Sequence, residues 1–309
     1  MRVFNGITAL PEFKNGVLTI GTFDGVHIGH QQILKQMREA ADQINGETIL
    51  LTFHPHPRLV LQPDSNIQLI NTIEEKAVIL EKFGLDNFII VPFTADFSQM
   101  TPESYIQDFL YKNIRPKKII IGYDHRFGQN RSGGINTFKK MAPQLGYTVD
   151  EISAQAIENI TVSSTKVRKA LAAGEIETAN ALLGHTFFIS GNVVKGRQIG
   201  RSIGFPTANV VCSSQHKLIP ANGVYAVEAN ITGEKLYGMV NIGHRPTFDN
   251  GEKTIEAHLF DFNGDLYDRQ IELYFLKFIR KEEKFDDQEA LQAQLEKDKV
   301  VVLKLLKKR

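Results

Sequence analysis

VLTIGTFDGVHIGH, residues 17–30, decides the reading of the first half of the chain. Val17–Ile20 is a short β-favouring run. Gly21 and Gly25 interrupt it, and a helical pattern then runs from Gly29 to about Ile44, closed by Asn45-Gly46. A strand passing through a glycine turn into a helix opens a strand–helix–strand unit, and the same alternation continues outward. Thr48–Phe53, Phe88–Val91 and Lys118–Ile121 read as further strands. Ile73–Phe83 reads as a helix with Thr72 as N-cap and Gly84 past its end, and another begins at Thr101-Pro102. The alternation predicts parallel strands with helical crossovers, hence a doubly wound α/β domain. Ligands of such sheets bind at the carboxyl ends of the strands.

The pattern changes near Gly184, which predicts a first domain over residues 1–184 and a second over 185–309. Phe187–Val194, Val224–Ala229, Leu236–Ile242, Ile255–Phe260 and Ile271–Phe278 are closely spaced strand patterns broken by Gly, Pro and Asn. They predict a small antiparallel barrel. A last helix over about Asp287–Leu306 starts at Asp286-Asp287 and ends in Lys307-Lys308-Arg309, which suits the helix dipole better than a nucleic-acid tail.

Composition agrees with two packed domains. The 309 residues are 42% apolar, enough for two cores at roughly 150 residues per domain. Thirty-six Lys and Arg against 35 Asp and Glu argue against a surface built to coat nucleic acid. The single cysteine, Cys212, excludes a disulfide framework within the chain and points to a reducing, cytoplasmic setting. No apolar run approaches the roughly 18 residues of a membrane span, and the N-terminus does not read as a secretion signal.

Three stretches of the first domain carry candidate chemistry. In the 17–30 string, Gly21 and Gly25 let the backbone approach a ligand, and the helix start offers free N–H groups to an anion. His27 and His30, three apart, share one face there and can donate to phosphate oxygens as charge develops. Phe23 and Asp24 sit between the glycines. Gly122–Gly128, with Asp124, leaves the strand Lys118–Ile121 at the same sheet edge. Val162–Arg168 opens another helix, where Ser164 and Thr165 can cap and Arg168 can clamp phosphate through its fork. A zinc site at His54 and His56 lacks completing ligands.

The second domain carries a separate anion site. Gly191, Gly196, Gly200 and Gly204, with Lys195, Arg197 and Arg201, can form a backbone nest. The Gly191–Gly196 spacing matches a P-loop, but Arg197-Gln198 replaces the Lys-Ser/Thr and the context is a barrel, so a Walker site is rejected. Thr207 and Asn209, two apart on extended chain, point the same way and offer neutral oxygens to a magnesium ion on ATP phosphates. Glu256 lies in a strand, where a carboxylate could accept a hydroxyl proton or be a solvated face residue.

These strings resemble known families. His27-Ile28-Gly29-His30 resembles the nucleotidylyltransferase signature, also found in class I aminoacyl-tRNA synthetases. The full Gly21–His30 string, the Asp124 loop and Ser163–Arg168 are similar to the FMN adenylyltransferase module of bacterial FAD synthetases. His125 departs from the usual Asp-Phe of that loop, which puts nucleotide or flavin affinity in question. Gly204–Asn209, Asn241–Phe248, Ile255–His258 and Asp265–Tyr267 follow the order seen in riboflavin kinases. Together the likenesses cover nearly the whole chain and resemble the bifunctional bacterial riboflavin kinase/FAD synthetase family.

The resemblance implies a Rossmann-like nucleotidylyltransferase domain followed by a six-stranded antiparallel barrel with a terminal helix. It implies phosphorylation of riboflavin to FMN, then adenylylation of FMN to FAD, both with ATP. It implies Glu256 as base, Thr207 and Asn209 placing Mg²⁺, and Gly191, Gly196, Arg201 and Gly204 in the kinase phosphate loop. His27, His30 and Arg168 would act on the second ATP, with Gly21, Phe23, Asp24, Gly25, Asp124, Ser164 and Thr165 binding nucleotide or flavin. The expected partners are small molecules, with no nucleic acid and no membrane, and a weak homo-oligomer is allowed. The competing readings are a non-catalytic flavin-binding regulator and an aminoacyl-tRNA-synthetase-like RNA enzyme.

Overall fold

Val17–Ile20 forms a strand buried along its whole length, which is why it reads as a continuous apolar run rather than an alternation. It lies inside a parallel sheet, where both faces are covered. The computed structural model describes residues 1–122, 125–152, 162–196, 200, 204–244 and 253–307. By Cα proximity the chain divides into two compact units, Met1–Ile67 with Ile73–Ser163, and Gln68–Thr72 with Ser164–Arg309.

The first unit holds strands β1 (Arg2–Asn5), β2 (Val17–Ile20), β3 (Thr48–His54), β4 (Asn87–Pro92), β5 (Lys118–Gly122) and β6 (Thr148–Ile152). They form one parallel sheet in the order β1-β4-β3-β2-β5-β6. The order reverses between β2 and β5, so the loops leaving these two strands open on the crevice where doubly wound sheets bind ligands. Thr19, buried in β2, satisfies its hydroxyl by donating to the Ile120 carbonyl of β5 at 2.7 Å.

Helix α1 (Ile28–Gln43) buries Leu34, Met37, Ala40 and Ala41, spaced to cover one face. Helix α2 (Ile73–Lys82) buries Lys76, Ile79 and Leu80, and helix α3 (Ile135–Leu145) buries Phe138 and Met141. Thr101 caps its helix as expected, accepting from the Ser104 N–H, and Pro102 takes the first turn; a π-helical stretch follows over Tyr105–Tyr111. The sequence reading had not singled out β1 and β6. Both are edge strands with polar residues, RVFN and TVDEI, and pair on one side only. An edge strand needs no continuous apolar run, so it leaves a weak signal.

The second unit opens with helices α4 (Ser164–Ala173) and α5 (Ile176–Leu183). Six antiparallel strands follow: β7 (Phe188–Val194), β8 (Ala208–Cys212), β9 (Gly223–Ile231), β10 (Glu234–His244), β11 (Lys253–Leu259) and β12 (Gln270–Arg280). They close into a barrel in the order β10-β11-β8-β7-β12-β9. The strand patterns read from residues alone lacked β8, the stretch carrying Asn209. Helix α5 is tied to the barrel by Asn180, which donates to Phe275 O at 2.9 Å and accepts from Phe187 N at 2.7 Å.

Helix α6 (Gln288–Leu306) begins at the Asp287 N-cap, which accepts from Ala290 N at 2.7 Å. Its Val302 packs with Val224, Ala226, Met239 and Leu276 of the barrel. Asp298, buried on α6, receives Arg280 of β12 through three contacts of 2.9–3.0 Å and Gln294 at 2.9 Å. The segment Gln68–Thr72 belongs to this unit through Leu69, which exchanges backbone bonds of 2.7 and 2.8 Å with His216 and Leu218. Buried Lys217 donates to Ile70 O at 2.7 Å and Phe188 O at 2.8 Å.

Candidate functional site

In the first unit the loop leaving β2 adopts a conformation L-residues seldom take. Phe23, Gly25 and Val26 have φ of 45°, 91° and 41°. For β-branched Val26 this is a strained state, of the kind that persists where the surroundings over-determine it. Val26 N donates to Phe23 O, and the Gln31 side chain donates to Val26 O at 2.8 Å, which fastens the loop to the first turn of α1. Asp24 is buried within the turn.

His27 is the N-cap of α1, and His30 lies one turn in. Their rings stack at 3.7 Å with 13° between planes, and Phe23 stacks on the other partner, His30, at 4.5 Å. Gly29 permits this, because a Cβ there would stand 3.2 Å from the His27 ring. Desolvation holds the His30 pKa well below its ordinary value, and the neighbouring His27 and Lys76 add to the effect. Its Nδ1 is buried and has no hydrogen-bond partner among the described residues. Two stacked imidazoles at a helix start, with His30 held neutral and its Nδ1 unused among the described residues, are suited to an incoming anion.

Ser164, Thr165 and Arg168 stand on the first turns of α4, which is grouped with the second unit. Arg168 Nε donates to Gln68 O at 2.8 Å, so part of its guanidinium fork holds the Gln68–Thr72 segment. Asp124 lies outside the described residues. His125 beside it is half-buried, with its ring 5.7 Å from that of Phe127 and 6.4 Å from that of Phe138.

In the second unit, strand register assembles residues far apart in sequence. Glu256 of β11 pairs with Asn209 of β8 on one side and Asn241 of β10 on the other. Asn209 also pairs with Val194, two residues before Gly196. Asn209 is buried, and its amide lies so close to Gly196 that a Cβ there would stand 2.1 Å from Nδ2. Any side chain at 196 would displace the amide. Thr207 is half-buried just before β8. Gly191 stands inside β7, paired with Cys212 and Ile271, where a Cβ would meet Val211 O at 2.5 Å. Gly204 has φ of 80°. Arg201, Arg197 and the Arg245–Phe248 part of the 241–248 loop lie outside the described residues.

Two residues had no role in the sequence reading. Lys76 is 7% exposed and donates its ammonium to Thr22 O at 2.5 Å, across from α2 to the loop leaving β2. Burial lowers its pKa to about 8, and Asp24 opposes that shift. The available signal was a lysine one turn before Ile79 and Leu80 on the buried face of an amphipathic helix. His258, two residues after Glu256 on β11, contacts Pro206 O through Nδ1 at 2.8 Å, and its ring is 4.9 Å from that of Phe205. Desolvation holds its pKa low. It anchors the chain just before Thr207 to the strand that bears Glu256.

Thr207 and Asn209 offer hard, neutral oxygens beside a glycine turn, a donor set that fits a magnesium ion shared with nucleotide phosphates. Among the described residues no group of three or more His, Cys, Asp and Glu could hold a metal by itself, and no helix is long and apolar enough to cross a membrane.

Comparison with known proteins bears on both units. The FAD synthetase family matches residues 10–166 and the riboflavin kinase family residues 183–306. A bifunctional riboflavin kinase/FMN adenylyltransferase of Listeria monocytogenes is 37% identical, the alignment covering 92% of this chain and 90% of the relative. One of Escherichia coli K12 is 38% identical over 97% of this chain and 96% of the relative. A crystal structure described as a macrolide-efflux protein from Streptococcus pneumoniae superimposes with a TM-score of 0.86 at 28% identity, covering 97% of this chain and 98% of that one.

Proposed function

The chain belongs to the bifunctional riboflavin kinase/FMN adenylyltransferase family, and we propose that residues 185–309 phosphorylate riboflavin to FMN while residues 1–184 adenylylate FMN to FAD. For the kinase, the observation that carries the reading is the register that sets Glu256 beside Asn209, with Asn209 against Gly196. For the adenylyltransferase it is the His27–His30 stack at the carboxyl end of β2.

In the kinase step, Glu256 accepts the proton of the riboflavin 5′-hydroxyl as its oxygen bonds to the γ-phosphorus of ATP. The bond from that phosphorus to the bridging oxygen breaks, and ADP leaves. Thr207 and Asn209 would hold Mg²⁺, which supplies charge neutralisation on the phosphates when bound. Gly191, Gly196, Arg201 and Gly204 form the chain that cradles them.

In the adenylyl step an FMN phosphate oxygen bonds to the α-phosphorus of ATP and pyrophosphate leaves. That nucleophile is already ionised, so no general base is required. His27, His30, Ser164, Thr165 and Arg168 orient the triphosphate and stabilise the leaving charge, and Gly21, Phe23, Asp24, Gly25 and Asp124 shape the nucleotide and flavin site. The reading places the work in a reducing cytoplasm, supported by a sequence whose single cysteine, Cys212, has no second cysteine in the chain to pair with. It involves no nucleic-acid or membrane partner and accommodates weak self-association.

The test is incubation of the whole chain with riboflavin, ATP and Mg²⁺, products identified by mass spectrometry. FMN followed by FAD is expected; binding of flavin without either product would instead favour a regulator. Residues 185–309 alone are expected to give FMN and no FAD, and FAD from that fragment would overturn the division. A fragment beginning at Ser164 keeps α4, α5 and the Asn180 bonds to the barrel and is expected to be the sturdier of the two.

A further inference from the structure

Lys76 of α2 is a buried cation whose hydrogen bonding, among the described residues, leaves donor capacity unused. An ammonium has three donors. Among the described residues its hydrogen-bond acceptor is Thr22 O. Asp24 attracts it, and His30 on α1 faces the same charge. Burying an ammonium on a single neutral acceptor is costly unless an anion completes its shell. The position also matters. Lys76 reaches from α2 to the turn that ends in the His27–His30 stack, so one turn of chain joins the ammonium, the strained loop and the helix start.

We infer that Lys76 is a phosphate-binding residue of the adenylyltransferase site, its two remaining donors directed to an oxygen of a substrate phosphate. The inference rests on the reading of the first unit as the adenylyltransferase. Thr22 O sets the direction of the side chain, and Asp24 keeps the ammonium charged until the anion arrives. The neutral His30 is then spared from competing as a cation, and the phosphate meets one full positive charge with imidazole donors beside it. Both substrates bring a phosphate: the triphosphate of ATP and the monoester of FMN. The chemistry is shared, and steady-state kinetics separates the two sources.

Wild-type FAD formation from FMN and ATP is measured first, since an inactive wild type refutes the adenylyltransferase reading rather than the role of Lys76. Lys76→Gln retains a donor for Thr22 O and removes the charge, whereas Lys76→Arg retains the charge. Lys76→Gln is expected to lower kcat/KM for FAD formation about 10²-fold, in the range for loss of one oriented donor, with a tenfold or greater rise in KM for ATP or for FMN. The substrate whose KM rises is the one held. Lys76→Arg should recover most of the loss, and riboflavin phosphorylation should be unchanged in both.

A loss of kcat shared by both variants, with neither KM moved, would show that Lys76 only pins the loop; wild-type kinetics in Lys76→Gln would show that it does nothing. Calorimetry guards against a variant that fails to fold. With a pKa near 8, wild-type Lys76 should take up a fraction of a proton when pyrophosphate or FMN binds at pH 8, beyond any change at His27, His30 or Asp24. Lys76→Arg, already fully charged, should lack that uptake. Equal uptake in the two proteins for both ligands overturns the inference.

Discussion

The two candidate phosphate sites have opposite architectures. In the first unit the candidate groups crowd one loop and one helix start: a stacked pair of imidazoles, a buried aspartate and a buried lysine around three residues of positive φ. In the second unit, Glu256, Asn209 and Asn241 lie across three neighbouring strands and meet only because those strands pair in one register. The contrast follows the chemistry assigned to each. Adenylyl transfer starts from an ionised phosphate and needs fixed positive and donor groups at a leaving pyrophosphate, which a strained loop can hold. Phosphorylation of a hydroxyl needs a proton acceptor placed against a phosphate cradle, and strand register sets such a separation rigidly.

The largest test of that contrast removes the imidazole pair. His27→Ala with His30→Ala is expected to abolish FAD formation while sparing FMN formation. Each oriented donor contributes about 10²–10³-fold, and two acting independently would reach about 10⁴–10⁶. Because the rings stack at 3.7 Å they act in part as a unit, so the measured loss should fall short of the product. Kinase activity in the same preparation reports folding. Near-normal FAD synthesis from supplied FMN would make the stack a packing feature.

Glu256→Gln should invert the outcome. It preserves volume and hydrogen-bonding capacity but removes the proton acceptor, so kcat for FMN formation should fall by about 10²–10⁴ while FAD synthesis from FMN continues. A change confined to KM would mean that Glu256 holds substrate and takes no proton.

A third substitution asks how rigidly the barrel must be held. Asp298→Ala leaves Arg280 without the carboxylate that receives it at 2.9 and 3.0 Å. Breaking a buried ion pair of this kind costs about 3–5 kcal/mol. Denaturant unfolding should show the loss in the second unit, with FMN formation failing at a lower denaturant concentration than in the wild type. An unshifted midpoint for FMN formation would show that the Arg280–Asp298 pair adds nothing to the stability of the barrel.

The same contrast explains what the sequence reveals. The 17–30 string is legible because strand, turn and helix start follow one another, and both histidines fall within four residues. Lys76 is hidden from that string because its contact with Thr22 spans 54 positions and exists only once α2 packs. In the barrel, Glu256 reads on spacing alone as a solvated strand residue; family resemblance singled it out, and the pairing with Asn209 depends on β8, which spans only five residues after a Phe-Pro turn. β1 and β6 escaped notice for a related reason, since pairing at a sheet edge places little demand on side chains. Local chemistry is written in strings; chemistry made by register is written in topology.

The smallest effect is a pH dependence that separates the two units. His30 has a folded pKa well below 6.5, chiefly from desolvation. Over the window from about 6.5 down to that folded value the unfolded chain binds the additional proton, so stability from this group is fully present above pH 6.5 and is lost as pH falls. Lys76 has the same sign at higher pH: with a folded pKa of about 8 against 10.5, its contribution improves as pH rises across that interval. His258 gives the second unit a weaker version of the acid effect, since the bond to Pro206 opposes its desolvation. The first unit should therefore lose stability faster than the second between pH 7 and 5.5. One proton sets the ceiling, about 1.4 kcal/mol per pH unit. His30→Phe keeps an aromatic ring against Phe23 but cannot titrate, so thermal unfolding of that variant should show a flatter acid slope in the first unit alone. An unchanged slope would mean that His30 becomes charged in the folded state, and that the histidine stack receives protons as well as phosphate.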